Sequence, residues 1–280
     1  MKVLVLGAKG MLGQAMLDVF ADHQVVGLDL GDIDITKPEQ IKRVMTLYQP
    51  QAVINCAAYT NVDKCEEEET KANLVNGTAV GYLARWTATQ KIPLVHISTD
   101  YVFAGLNESG YREDDPTGPP INAYGRTKLH GEEQLRLNTD RFYLVRTSWL
   151  YGPGGKNFVQ TILDAAKTKP ELRVVNDQHG RPTYTYDLAG FVKALLLDKA
   201  PFGNYHGTNE WATTWYDFTV EIFRQAGLTT PISPCPSSDF SRPAKRPAWS
   251  ALLNTKRPLL RTWPEALRDY LRILGYAAKV

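Results

Sequence analysis

Cysteine is scarce in this sequence. Cys56, Cys65 and Cys235 are the only three in 280 residues, an odd number at wide spacing. That excludes a disulfide-stapled scaffold and leads us to expect a reducing, cytoplasmic setting. Long apolar runs are missing too. None approaches the roughly 18 residues of a membrane span, and Met1-Lys2 leads into a strand-like segment where a signal peptide would need its charged and apolar regions. No membrane partner is therefore expected. Excess charge of one sign is also absent. Thirty-two Lys and Arg against thirty Asp and Glu leave +2, and no clustered basic face suggests a nucleic-acid partner. The five histidines, at 23, 96, 130, 179 and 206, lack ligand spacing and predict no metal site. What remains is a globular chain, 43% hydrophobic, long enough to bury about three quarters of its unfolded surface without staples.

The N-terminal half alternates β-branched runs with amphipathic stretches, which predicts parallel βαβ architecture. The strands expected are Lys2–Leu6, Gln24–Asp29, Ala52–Asn55, Leu94–Ser98 and Phe142–Thr147, each apolar without clean alternation, as strands covered on both faces should be. Helices are expected near 11–21, 38–48, 64–90 and 122–138. Asp63-Lys64-Cys65-Glu66 reads as a capping box, and Glu66–Glu69 as first-turn carboxylates facing a helix N-terminus and water. After about residue 148 the pattern loosens. Helices near 157–168, 185–199, 215–227 and 263–274 alternate with short extended pieces, and five prolines in 231–247 predict an irregular loop. The fold class expected is α/β: a Rossmann-type, doubly wound parallel sheet over 1–148 and a smaller, loop-rich substrate domain over 149–280, with part of 184–205 packing back on the first.

Three features carry chemistry. Lys2–Leu6 runs into Gly7-Ala8-Lys9-Gly10-Met11-Leu12-Gly13, so a strand meets a helix through a glycine turn. Such a turn lets backbone N–H groups and the helix N-terminus approach a pyrophosphate with no side chain between. Its Gly-x-x-Gly-x-x-Gly spacing departs from the Gly-x-Gly-x-x-Gly dinucleotide fingerprint. Asp29, at the end of the second strand, can bind ribose hydroxyls and repel a 2′-phosphate, while Lys9 could do the opposite, so NADH and NADPH both stay open. Tyr124 and Lys128 stand four residues apart on one helix, which puts them on one face. An ammonium beside a phenol stabilises phenolate and brings its pKa toward the working range. Ser98-Thr99-Asp100 ends the preceding strand, on the side where an open α/β sheet binds ligands. By contrast, His96 reads as a packed residue, Cys56 as small buried filler, and Trp211 and Trp215 as core. The cluster Arg242, Lys245, Arg246 is either a solvated loop or a clamp on a nucleotide diphosphate.

These residues together resemble the extended short-chain dehydrogenase/reductase superfamily, and within it the dTDP-4-dehydrorhamnose reductase family. The closer motifs begin with Asn55-Cys56-Ala57-Ala58-Tyr59-Thr60-Asn61-Val62-Asp63, Val75-Asn76-Gly77-Thr78, Ser98-Thr99-Asp100-Tyr101-Val102-Phe103 and Tyr124-Gly125-Arg126-Thr127-Lys128. Further along come Arg146-Thr147-Ser148-Trp149-Leu150-Tyr151-Gly152, Asn176-Asp177-Gln178-His179-Gly180-Arg181-Pro182-Thr183 and Arg246-Pro247-Ala248-Trp249-Ser250. The match runs in order from the first strand to about residue 256. It implies NADPH- or NADH-dependent reduction of the C4 keto group of dTDP-4-dehydro-6-deoxy-L-mannose, giving dTDP-L-rhamnose. It implies Tyr124 as the proton donor, Lys128 on the nicotinamide ribose and Thr99 on the reacting oxygen. Gly7, Gly10, Met11, Leu12, Gly13, Asp29, Asp34, Ile35, Ala57, Ala58, Tyr59 and Ile97 would line the cofactor with Tyr124 and Lys128. Thr99, Asp100, Trp149, Asn157, Asn176, Gln178 and Arg246 would meet the nucleotide sugar. Some members of the family resemble one another in pairing subunits around a glutamate-held Mg²⁺. Ala15 and Tyr186 stand at the matching places here, so no metal is expected, and the chain would be a monomer or a homodimer. Two other activities share these motifs: an epimerase or dehydratase acting on another nucleotide sugar, and a non-catalytic accessory chain like that of methionine adenosyltransferase.

Overall fold

The computed structural model describes residues 1–276; the last four of the segment expected over 149–280 lie outside the described residues. The first half contains β1 (Lys2–Leu6), α1 (Met11–Val19), β2 (Gln24–Leu28), α2 (Pro38–Tyr48), β3 (Ala52–Asn55), α3 (Val62–Glu67), α4 (Glu69–Asn73), α5 (Ala79–Gln90), β4 (Leu94–Thr99), α6 (Ala123–Asn138) and β5 (Phe142–Thr147). There follow β6 (Leu150–Tyr151), α7 (Phe158–Thr168), β7 (Leu172–Val175), β8 (His179–Gly180), β9 (Thr183–Tyr184), α8 (Thr185–Leu197) and β10 (Gly203–His206). The chain ends with β11 (Thr213–Thr214), α9 (Trp215–Ala226), β12 (Ile232–Cys235) and α10 (Trp263–Ile273).

Six parallel strands form the central sheet in the order β10-β5-β4-β3-β1-β2. Alternate residues of each strand enter opposite cores. Val3 and Val5 face α1 and α8 through Leu12, Met16, Leu188 and Val192. Leu4 and Leu6 face α2 and α5 through Ile41, Met45, Val80 and Leu83. Burial on both faces explains why these strands read as apolar runs. The chain order reverses between β1 and β3, the place where such sheets open a crevice beyond their strand ends. A separate core of α7, α9, α10 and β7 forms the second lobe around Tyr151, Phe218 and Trp263.

Two local expectations need correcting. The 64–90 segment begins at Val62, and its N-cap is Asn61, whose side chain accepts from the Lys64 N–H at 3.1 Å, not Asp63. The segment is also interrupted. A single π turn, Leu74–Thr78, separates α4 from α5, the kind of insertion that gathers at functional sites. The 231–247 stretch is not all loop: β12 pairs in parallel with β7, carrying Pro234 opposite Val174. A two-stranded sheet has only edges, so the missing Pro234 N–H costs no ladder bond on its free side.

Candidate active site

The floor of the site is the β1–α1 turn. Gly7 has φ +75°, and a Cβ there would lie 2.6 Å from the Ala57 nitrogen; one on Gly13 would lie 2.1 Å from the Gly7 carbonyl. Only glycine lets the turn, the loop after β3 and α1 approach this closely. Gly10 caps α1 without a side chain, so the first N–H groups of the helix face the crevice unscreened and suit an anion. This cradle fits a dinucleotide pyrophosphate. Asp29 takes the Lys9 N–H at 2.7 Å and the Leu30 N–H at 2.8 Å, bracing the turn. Asp34 is held by Thr36, whose hydroxyl and N–H keep its carboxyl below the ordinary range.

Above this floor opens a cleft of about 1190 Å³. Gly7, Gly10, Met11, Leu12, Gly13, Asp29, Asp34, Ile35, Ala57, Ala58, Tyr59 and Ile97 line it, and so do Thr99, Asp100, Tyr124, Lys128 and Trp149. The tyrosine reaches it because α6 starts at Asn122, whose side chain accepts from the Gly125 N–H at 2.8 Å and donates to the Lys245 carbonyl at 2.8 Å. The carboxylate of Glu66 takes the Ala123 N–H at 2.8 Å, and Glu69 grips Arg126 through two bonds of 2.8 and 2.9 Å. The acidic run thus braces the first turn of α6 as well as lying in water. Gly125 packs against the Tyr101 carbonyl, where a Cβ would come to 2.2 Å.

The Thr99 hydroxyl donates to Asp100 at 2.9 Å and lies within hydrogen-bonding reach of the Tyr124 phenol. Burial raises Asp100 to about 6, against the pull of hydrogen bonds from Ser250 and Thr99, and its Oδ2 has no partner. Burial, with the Asp100 carboxylate adding to it, pushes the Tyr124 phenol above its ordinary range. That is opposite to the downward shift expected from the lysine four residues on. Burial outweighs the lysine, whose nitrogen donates to the Ile97 carbonyl at 2.7 Å. Burial also lowers Lys128 to about 8, with Glu132 and Cys56 opposing. Beneath the cleft, Glu132 accepts Ser98 at 2.7 Å and binds Arg146 through 2.9 and 2.7 Å contacts, tying α6 to β4 and β5.

Four residues expected at the substrate stand outside the cleft. Asn157 is spent as the N-cap of α7 and as a donor to the Gly152 and Gly155 carbonyls and the Tyr270 hydroxyl. Asn176 is exposed beyond β7. Gln178 accepts from the Trp215 indole N–H at 3.2 Å. Arg246 is neutralised by Asp63, at 2.5 and 3.0 Å. Trp215 is a core residue only in part: it packs against Phe158 and Phe218 of the second lobe, while its ring stacks on Trp149 at 3.5 Å and borders the cleft; Trp211 is 61% exposed. Trp149 itself adopts φ +47°. Cys56 borders the cleft with its thiol raised by burial to about 12. Ala15 is buried against α8, and the Tyr186 hydroxyl donates to Asp18 on α1. Among the described residues no cluster of His, Cys, Asp or Glu is arranged to hold a metal ion, and no helix is long and apolar enough to cross a membrane.

The family model described as RmlD substrate binding domain matches residues 1–275. The chain belongs to that family. Family relatives include a spore coat polysaccharide biosynthesis protein, SpsK, of Bacillus subtilis, 43% identical over 97% of both chains. The dTDP-4-dehydrorhamnose reductase of Streptomyces griseus is 40% identical over 95% of this chain and 91% of its own. Among solved structures, the dTDP-4-dehydrorhamnose reductase of Bacillus anthracis, in complex with NADP, superimposes with a TM-score of 0.94 at 33% identity, covering 97% of this chain and 99% of that one. RmlD-family membership thus extends over both lobes.

Proposed function

We propose that this protein is a dTDP-4-dehydrorhamnose reductase, transferring hydride from NADPH to C4 of dTDP-4-dehydro-6-deoxy-L-mannose. The observation that carries the reading is the meeting of the glycine turn, Thr99, Tyr124 and Lys128 in one cleft of dinucleotide-plus-sugar size, in a chain whose relatives include proteins named dTDP-4-dehydrorhamnose reductase. NADPH supplies the hydride; the rest of the chemistry belongs to the protein.

In this reading Tyr124 protonates the C4 oxygen as hydride arrives on C4. A phenol held above its ordinary pKa is protonated at neutral pH but a weak acid, so the proton crosses only as hydride arrival makes the C4 oxygen strongly basic. The Thr99 hydroxyl, which donates to Asp100, turns its O–H to the C4 oxygen when the carbonyl binds and so orients it. Lys128 holds the nicotinamide ribose and carries the positive charge that favours phenolate once the proton has left. The stacked indoles of Trp149 and Trp215 offer a flat wall to the apolar C–H face of a deoxy sugar. Asp63 and Arg246 form a neutralised pair beside Val62 and Tyr101, which line the cleft, and exchange of Asp63 for a substrate diphosphate would turn Arg246 into the clamp.

The test is consumption of reduced nicotinamide with the dTDP 4-keto sugar, run with NADPH and NADH side by side. Tyr124→Phe is expected to bind NADPH normally and to lose turnover by at least about 100-fold. Near-normal turnover in that variant would overturn the assignment. An epimerase or dehydratase would instead return its cofactor unchanged at the end of the reaction.

A further inference from the structure

His96 has no part in the reaction as described, yet it occupies a demanding position. It is 1% exposed in the middle of β4, between Val95 and Ile97. Its two ring nitrogens meet two different groups: Nδ1 lies 3.2 Å from Asn55 Nδ2 at the end of β3, and Nε2 lies 3.4 Å from Lys128 Nζ on α6. A neutral imidazole has one N–H and one lone pair to share between them.

The neighbours decide which goes where. Asn55 Oδ1 accepts the Ala57 N–H at 3.2 Å, so the amide turns its NH₂ toward the ring. An NH₂ group can only donate. Nδ1 must therefore accept, the imidazole proton sits on Nε2, and an N–H bond points at the Lys128 nitrogen. An ammonium there would face a donor; a neutral amine would accept it. Other influences on the lysine push in both directions: burial favours the amine, Glu132 one turn on favours the charged form, and the Cys56 thiol beside it stays protonated at neutral pH. Arg146 neutralises Glu132, and the Ile97 carbonyl accepts either form. Tyr124, one turn back, faces Asp100 and Thr99. Burial keeps the imidazole itself uncharged.

We propose that His96 is a positioning residue that, through the tautomer imposed by Asn55, sets the pH at which Lys128 changes from ammonium to amine. The proposal rests on the reading of Lys128 as the cationic partner of Tyr124. The protein then has two hydrogen-bond arrangements. With amine, Asn55 NH₂ donates to Nδ1 and Nε2–H donates to Nζ. With ammonium, Nζ donates to a bare Nε2, Nδ1–H donates to a turned Asn55 carbonyl, and Ala57 N–H gives up its acceptor. The second arrangement carries the catalytic charge at the expense of the loop that borders the cofactor.

The test is nitrogen NMR of the imidazoles in the intact enzyme across pH, with His96 assigned by its loss in His96→Gln. The expected result is a neutral ring throughout, with Nε2–H about one pH unit above the lysine value of about 8 and Nδ1–H well below it. In His96→Gln the side-chain carbonyl can accept from the ammonium, so the alkaline limb of the turnover profile should move upward by at least about half a pH unit. A purely structural histidine would lower turnover by one factor at every pH and leave the limb in place. A single Nδ1–H tautomer at all pH values, or an unmoved limb in a folded His96→Gln, would overturn the proposal. If the variant does not fold, Lys128→Met decides: the tautomer switch must vanish there, and its persistence overturns the proposal, as does a doubly protonated ring in the wild-type spectrum. Failure of the reductase reading shows separately, as retained turnover in Tyr124→Phe, and leaves the tautomer measurement standing.

Discussion

Asp100 is the residue whose chemistry sits least comfortably in the fold. Its carboxyl is 2% exposed, one oxygen is unpartnered, and burial raises it to about 6. Between the ordinary aspartate value and about 6, the native state holds a proton that the unfolded chain has released. Stability must therefore fall as pH rises through that window, and above it the full cost is present. Asp100→Asn is expected to abolish that slope and to stabilise the protein at neutral pH by roughly 2 kcal/mol, read by urea unfolding at several pH values. The same change should weaken substrate turnover, because the Thr99 hydroxyl loses a charged acceptor. A stability profile unchanged by the substitution would mean that Asp100 is ionised at little cost. The residue scale also marks where sequence reasoning stops. The four-residue spacing puts Tyr124 and Lys128 on one face, but the sign of the phenol shift is set by burial and by the nearby Asp100 carboxylate, which depend on tertiary packing that no side-chain spacing reveals. His96 carried one signal, an imidazole flanked by the apolar residues Leu94, Val95 and Ile97 of its strand.

Among the elements, α6 is the one the site depends on. It is fixed at its start by Asn122, Glu66 and Glu69 and at its middle by the buried Glu132–Arg146 pair. Removing one member of a buried ion pair strands the other charge, so Glu132→Ala is expected to cost about 3–5 kcal/mol. Pairing it with Arg146→Met should recover most of the loss, as a double-mutant cycle in denaturant would show. The glycine turn is equally intolerant. The Gly7 carbonyl blocks any Cβ on Gly13, so Gly13→Ala should destabilise by about 1–3 kcal/mol and weaken NADPH binding measured by titration. The five sheet strands of the first half were legible because largely apolar runs close on Gly, Asn, Asp or Ser at or just past their ends, and the helices from their amphipathic period, save for the breaks inside the 64–90 segment. The sixth strand, Gly203-Asn204-Tyr205-His206, was not: it has no apolar run and earns its place only by pairing with β5. β12 was hidden by Pro234, and the helix start at Val62 by the better-looking Asp63, whose carboxylate is engaged by Arg246.

For the whole molecule, a ligand that binds only the native state stabilises it by mass action. NADPH at about 100 times its dissociation constant should add about 2.7 kcal/mol, several degrees in melting temperature, and Gly13→Ala should lose that gain. The substrate half was less legible than the cofactor half. Trp149, after β5, and Trp215, at the start of α9, meet across a long stretch of chain, Asn157 and Gln178 turn to partners inside their own lobe, and Asn176 faces outward. These are long-range choices that local spacing does not encode.

The path of the chain between the lobes has a practical corollary. After Ser148 the backbone leaves the first lobe, returns as α8 over α1 and as β10 beside β5, then departs again. A recombinant fragment stopped at that first exit would lack both returning pieces, leaving Val3, Val5 and Met16 uncovered along one side and the β5 edge bare. Such a fragment should be recovered as aggregate, so neither half of this gene can be transplanted or exchanged by a single cut.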